Sequence, residues 1–175
     1  MTQLLENDYI SLRPYNNNHI EKTVEWLSLP LIKENFGLVN NISVDSHKNW
    51  LDNNKEVIKW AIYSEKYIGN LFLFENARHK SAYFQIYIGA TTHIGKGIGG
   101  QALNLMLNYA FTEKDIHRVW MHCYPTNLRA IKLYEKLGFV FEGMERESIY
   151  KNEKFISQGR WSILKHEWQS KEVLK

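Results

Sequence analysis

Apolar positions along this chain change their spacing several times, and each change predicts a new element. Tyr9-Ile10-Ser11-Leu12-Arg13 alternates as a short strand stopped by Pro14. From His19 to Ser28 the period lengthens, which puts Ile20, Val24 and Leu27 on one helical stripe; Asp45 to Asn53 reads as a second short helix carrying Trp50 and Leu51. Leu31 to Ile42, between them, has no clear period. Alternation returns in Val57 to Tyr63, Ile68 to Glu75 and Ala82 to Gly89. These aromatic and β-branched runs are broken by Ser64-Glu65-Lys66 and Asn76-Ala77-Arg78-His79-Lys80, as in an antiparallel meander. A helix follows, with Ile98, Ala102, Leu105, Met106 and Tyr109 on its apolar face and Gln101, Asn104 and Asn108 on its polar face. His117 to Tyr124 is strand-like and Asn127 to Leu137 helical, and Phe139 to Tyr150 with Phe155 to His166 form a hairpin around Lys151-Asn152-Glu153-Lys154. This order contains one strand-helix-strand crossover and predicts an α/β fold with a mixed sheet.

Composition narrows the picture. At 175 residues and 44% apolar, with no repeat or linker, residues 1–175 read as a single domain with a core of its own. A net charge of +3 demands no broad footprint for nucleic acid or a membrane surface, so an anionic partner must be met locally. Cys123 has no partner for an internal disulfide, Met1 to Glu6 lacks a charged-then-apolar leader, and no apolar run nears the roughly 20 residues of a membrane span; a cytoplasmic location is expected. The open sheet edge and the aromatic hairpin leave room for a homodimer.

Candidate chemistry concentrates in Ile94-Gly95-Lys96-Gly97-Ile98-Gly99-Gly100, where a strand hands over to a helix. One or two glycines serve a tight turn; four between Gly95 and Gly100, with Lys96 among them, point to bare backbone approaching a ligand, and a pyrophosphate at a helix N-terminus suits it best. Gly95, Gly97 and Gly100 also satisfy the dinucleotide fingerprint G-x-G-x-x-G. The next strand, however, ends in Pro125-Thr126-Asn127 without the carboxylate that would bind a ribose, and Asp115 precedes it. The Walker pattern is absent. His122 and Cys123 are neighbours on a strand and point to opposite faces, no C-x-x-C or H-E-x-x-H occurs, and no metal is expected; Cys123 reads as a small buried apolar residue.

Tyr83-Phe84-Gln85-Ile86-Tyr87-Ile88-Gly89, then Gly95 to Gly100, then Asn127-x-x-Ala130-x-x-x-Tyr134-x-Lys136-x-Gly138-Phe139 resemble the GNAT acetyltransferase superfamily in order and spacing, over most of the chain from Tyr9 to about Trp168. The chain is most similar to the branch of ribosomal-protein N-terminal, spermidine and amino-sugar-nucleotide acetyltransferases, and Ser81-Ala82 with Phe84-Gln85-Ile86 resembles the spermidine enzymes in particular. It departs at Ile94, where the family motif usually begins with Gln or Arg. The resemblance implies the acyl-CoA N-acyltransferase fold: a mostly antiparallel mixed sheet splayed at its centre, with helices on both faces. It implies acetyl-CoA as donor, with backbone N–H groups of Ile86, Tyr87 and Ile88 meeting the thioester and pantetheine. The pyrophosphate would lie over Gly95, Lys96, Gly97, Ile98, Gly99 and Gly100. Asn127 would hold the pantetheine, with Ala130 beside it, and Tyr134 would protonate the departing thiolate.

A phenol suits that last role, since its usual pKa of about 10 lies above the roughly 8.5 of a thiol. By periodicity alone Tyr134 packs its helix with Leu133 and Leu137. Glu75, at the end of a meander strand, is the candidate base for the amine, with a solvated turn residue as the alternative; His79, between Arg78 and Lys80, is a second candidate with the same alternative. Gln85 cannot accept a proton. Acceptor choice is expected in Leu29 to Val44 and near Glu145, Arg146, Glu147 and Tyr150, with Trp26, Phe36, Trp50 and Trp60 as aromatic walls or core. Asn16 to Asn54 carries only slightly more acidic than basic residues, which favours a small-molecule amine or amino-sugar nucleotide over spermidine. A protein N-terminus as acceptor, and an acyl-CoA-binding module without turnover, remain the other readings.

Overall fold

The computed structural model describes residues 2–36, 38 and 40–172, the last four of these as backbone only, so Gly37 and Val39 of the expected acceptor region lie outside the described residues. Tertiary contacts gather the chain into two units, Met1–Phe74 with Gln85–Leu105 and Glu75–Phe84 with Met106–Lys175.

In the first unit, β1 (Leu5–Glu6), β2 (Ser11–Pro14), β3 (Ile58–Tyr63), β4 (Tyr67–Asn76) and β5 (Ser81–Ile88) follow one another in sheet order, and β1 to β4 pair antiparallel. Asn7 sets the first hairpin, its Oδ1 accepting from the amides of Tyr9 at 2.9 Å and Ile10 at 3.0 Å. The turn leaves Tyr9 exposed and starts β2 at Ser11, later than its alternation suggests. Pro14 stays inside the strand opposite Trp60; β1 reaches only to Leu12, so the missing N–H of Pro14 interrupts no ladder on that side.

Three helices follow β2: α1 (Ile20–Leu27), α2 (Pro30–Asn35) and α3 (Val44–Asn53). Helix α2 falls in the segment without period. It begins on a proline, whose fixed φ suits a first turn, and its six residues are too few to display a stripe. Helix α1 buries Ile20, Thr23, Trp26 and Leu27, with Val24 at the margin. Thr23 belongs inside because its hydroxyl is satisfied: Tyr15 Oη donates to it at 2.8 Å and Asn70 Nδ2 at 2.9 Å. Asn70, 1% exposed in the middle of β4, also donates to Tyr87 Oη at 2.7 Å and accepts from Tyr67 Oη at 2.9 Å. This buried hub ties α1 to β4 and β5. Trp26, Leu27, Ile32 and Tyr87 form a core cluster beside it, and a Cβ added to Gly89 would stand 1.9 Å from the Trp26 ring.

The second unit carries the first part of β5, then β6 (Arg118–Cys123), β7 (Val140–Lys151) and β8 (Lys154–Leu164), in the order β5-β6-β8-β7. Only β5 with β6 is parallel there, as the predicted crossover through α4 (Ile98–Thr112) requires; β6 with β8 and β7 with β8 are antiparallel. Helix α5 (Leu128–Leu137) and α6 (Lys165–Glu172) complete the chain. Helix α4 differs from its expected stripe. Leu103, Leu107, Ala110 and Phe111 are buried with Ala102, Met106 and Tyr109, whereas Leu105 is half-buried, because the second half of the helix is enclosed on most sides and exposes Asn108 and Thr112. Helix α6, polar apart from Trp168, gave no period to read; Trp168 is buried, beside Phe111. No described helix is long and apolar enough to cross a membrane.

Candidate active site

The parallel ladder of β5 with β6 consists of Ser81 with Arg118, Ala82 with Val119 and Tyr83 with Trp120, and it stops there although β5 continues to Ile88. Past that point β5 is held from the β4 side: Gly89 N and Ala90 N both donate to Ile68 O, at 2.8 and 3.0 Å. Gly69 lies so close to this segment that a Cβ there would be 2.3 Å from Tyr87 O.

The glycines that follow divide into two pairs. Gly95 and Gly97 have φ of +84° and +78°, are exposed, and an added Cβ on either would find nothing within 4 Å. Gly97 O accepts from Gln101 N at 3.2 Å, so Gly97 caps α4. Gly99 and Gly100 stand in the first turn, where the N–H groups of Ile98, Gly99 and Gly100 have no acceptor within the helix. Left-handed backbone aims the chain at the first pair, and absent side chains clear the approach at the second. With exposed Lys96 between them, the turn offers a positive helix end, orphan N–H donors and a cation to an anion that needs close main-chain contact.

Ile86 to Gly100 belong to the first unit, and Asn127, Ala130, Tyr134 and Glu75 to the second. Asn127 caps α5, its Oδ1 accepting from Ala130 N at 3.3 Å, which leaves the amide NH2 as the end of that side chain able to meet another oxygen. Tyr134 is 8% exposed and lies between Phe84 and Phe139, with ring centroids 6.1 and 5.7 Å away. Burial, with smaller contributions from Cys123 and Tyr83, holds its phenol well above the ordinary tyrosine range, so it stays protonated. Burial also pushes the Cys123 thiol up to about 11, the state of an inert core cysteine. Glu75 stands at the far end of β4 from Ile68, with Lys114 Nζ 3.4 Å from its Oε1, and His79 is exposed on a 3-10 turn.

Of the aromatic candidates, Trp26 and Trp60 are core, Phe36 packs edge-on against Tyr87 at 5.1 Å, and Trp50 stacks on Phe72 at 5.5 Å. Two groups escaped the sequence reading. One is the Asn70 hub, whose signal is an amide in the middle of an apolar strand. The other covers one face of β6, where Arg118, Trp120 and His122 alternate with the buried Val119, Met121 and Cys123. Arg160, opposite His122 on β8, lays its guanidinium 4.9 Å from the Trp120 ring centre. Glu145 of β7 pairs with Arg160 and places Oε2 3.0 Å from His122 Nε2.

A family model for the acetyltransferase (GNAT) domain matches residues 10–140. Spermidine N(1)-acetyltransferase of Vibrio cholerae is 38% identical over 102 residues, 58% of this chain and 58% of that protein; the Escherichia coli spermidine N(1)-acetyltransferase is 31% identical over 93 residues, 53% of this chain and 50% of its own length. The chain thus spans about half the length of these curated relatives. Among solved structures, spermidine N-acetyltransferase from Vibrio cholerae in complex with CoA and spermine superposes with a TM-score of 0.86 at 27% identity, covering 93% of this chain and 99% of that one. A mostly antiparallel mixed sheet with one parallel crossover and a glycine turn at the head of α4 agrees with these matches: the chain belongs to the GNAT acetyltransferase family.

Proposed function

We propose that the chain is an acetyl-CoA-dependent N-acetyltransferase acting on a primary amine. The observation that carries this reading is the exposed turn of Gly95 and Gly97, held at positive φ, open where side chains would stand, and leading into unpaired N–H donors. Such a turn fits the pyrophosphate of CoA, and the solved relative from Vibrio cholerae is a CoA complex. In this reading Gly95 to Gly100 seat the diphosphate, Ile86, Tyr87 and Ile88 present backbone N–H groups to the pantetheine and thioester oxygen, and the Asn127 amide with Ala130 steadies the pantetheine. The bound thioester supplies an activated acetyl carbon. Backbone donors stabilise the oxyanion that forms on amine attack, and Tyr134, protonated because it is buried, hands its proton to the departing thiolate.

Polyamines are the first acceptor class to test, because both curated relatives above acetylate spermidine by name. From Asn16 to Asn54 five acidic residues stand against three basic ones, and this modest excess leaves room for a second class, an amino-sugar nucleotide, since a polyamine site calls for a marked acidic excess. Release of free thiol from acetyl-CoA is measured against spermidine, spermine, amino-sugar nucleotides and N-terminal peptides. Acceptor-dependent release with one class and mass gain of one acetyl group on that amine are expected. Failure to bind CoA would overturn the reading.

A further inference from the structure

We propose that His122 is the general base that deprotonates the acceptor amine and that Glu145 is its positioning residue; this rests on the acetyltransferase reading above. The inference begins with β6. Beyond Trp120 the strand has left its ladder with β5, so Met121, His122 and Cys123 lie on the released stretch. Successive residues face opposite ways. Cys123 turns toward Tyr134, whose phenol feels both Cys123 and Tyr83, and His122 turns to the other face, its ring 6.0 Å from Tyr83. The proposed acid and the imidazole thus flank one strand and share a neighbour.

The surroundings of His122 are those of a proton acceptor held in place. Its side chain is 20% exposed, edge-on to Trp120 at 5.1 Å. Nε2 is shielded from solvent, stands 3.0 Å from Glu145 Oε2, and lacks regular hydrogen-bond geometry. Arg160, which neutralises the same carboxylate, also has a shielded Nε without a hydrogen bond. Two incompletely satisfied side chains on one carboxylate mark a site that a further group completes. Glu145 orients the ring, leaving the nitrogen turned away from the carboxylate to take the proton. Glu75, the other base in view, already has Lys114 against it.

A one-residue bulge makes the arrangement. Phe141 pairs with Trp161 and Gly143 with Arg160, so Glu142 is the extra residue and Gly143, Met144 and Glu145 change face, up to a second irregularity between Glu145 and Ile149. Without the bulge Glu145 would point away from His122.

The step balances as follows. An N–H bond of the acceptor ammonium breaks and its proton passes to the imidazole. The freed nitrogen pair forms the C–N bond to the acetyl carbon, the C–S bond breaks, sulfur takes the proton of Tyr134, and the nitrogen, now bonded to the acetyl carbon, gives up its second proton to water. The imidazolium then yields its proton to water and the phenolate regains one.

The groups facing His122 are Glu145 from β7, Arg160 from β8, Tyr83 from β5 and Trp120 from its own strand. The test compares wild type, His122→Gln and Glu145→Gln for CoA binding and for kcat/KM with the best amine of the panel across pH 6 to 10. Wild-type CoA binding and turnover decide the underlying reading first; without them both readings fall. With them, His122→Gln is expected to bind CoA normally and lose about 10²-fold in kcat/KM near neutral pH. The loss should shrink as pH nears the pKa of the amine, about 10, where the nucleophile needs no base. Glu145→Gln should lose less, in kcat with KM held, while CoA binding stays at the wild-type level. An unchanged His122→Gln, or a loss equal at every pH, overturns the proposal.

Discussion

Replacing Gly97 by Ala separates what the turn does for the protein from what it does for the ligand. At φ +78° with nothing within 4 Å of the new Cβ, the change meets no clash in the free protein and only the left-handed conformation opposes it. That costs about 1–2 kcal/mol, against which a stiffer unfolded chain returns roughly 0.4–1 kcal/mol, so the net loss is about 1 kcal/mol. For a chain of this size Tm should fall by about 3 °C. The methyl group stands, however, where a diphosphate must approach the N–H groups of Ile98 to Gly100. Loss of one charge-assisted hydrogen bond, about 1.5–3 kcal/mol, raises the Kd for CoA by on the order of 10- to 100-fold. Scanning calorimetry with and without CoA reads both effects. At a concentration 100 times the wild-type Kd, CoA should stabilise wild type by about 2.7 kcal/mol and a 100-fold weakened variant by only about 0.4 kcal/mol. If the variant keeps the full CoA-dependent rise while its own Tm drops, the turn is not the phosphate seat and the reasoning fails. Gly69→Ala is the contrasting control. Its Cβ would stand 2.3 Å from Tyr87 O, so its loss of stability should exceed that of Gly97→Ala before any ligand is added.

Tyr134→Phe keeps the ring between Phe84 and Phe139, so CoA affinity and Tm should hold while kcat drops by roughly 10²-fold; equal turnover in steady-state assays would remove the phenol from the mechanism. Asn70→Leu leaves Tyr87 Oη, Thr23 Oγ1 and Tyr67 Oη without their amide partner and should lower unfolding free energy by about 3 kcal/mol in urea titrations; a loss under about 1 kcal/mol would show that the hub relaxes freely. Burial lowers the His47 pKa from 6.5 to about 4, so the unfolded chain takes up a proton in that window and the native protein does not. Its stabilising contribution is therefore complete above pH 6.5 and shrinks as pH falls towards 4, by up to about 3 kcal/mol. His47→Gln should flatten that slope, and a slope unchanged by the substitution would refute the assignment.

How much of this was legible in the chain follows from the range of the forces involved. Alternation in Val57 to Gly89, the helical stripes near Trp26 and Trp50, the glycine run and the Asn127 to Phe139 motif are local patterns, set by neighbours within a few residues. They were enough to place the meander, the crossover, the terminal hairpin and the family. Helices α2 and α6 were illegible because neither carries a repeating apolar stripe: one is six residues long, and the other has Trp168 as its one apolar residue. The burial of Leu103 and Leu107 on α4, and of Thr23 on α1, depends on what surrounds each helix, and no helical period encodes that. Among the candidate site residues, the turn at Gly95 and Gly97 and the cap at Asn127 were legible because they rest on backbone freedom and a short side-chain reach, whereas the enclosure of Tyr134 by Phe84 and Phe139 was not. Glu75 was chosen by its place on a strand, which says nothing of Lys114 arriving from the end of α4.

Sequence alone determined the order of the strands and helices apart from β1, α2 and α6, that bare main chain opens α4, and that a tyrosine sits on α5. Only the tertiary structure decided that Asn70 gathers Thr23, Tyr67 and Tyr87, that the β5–β6 ladder ends at Tyr83, and that a bulge at Glu142 turns Glu145 toward His122. Periodicity is a property of adjacent residues, whereas register, bulges and cross-strand partners arise when segments distant in sequence compete for the same hydrogen bonds and the same buried space.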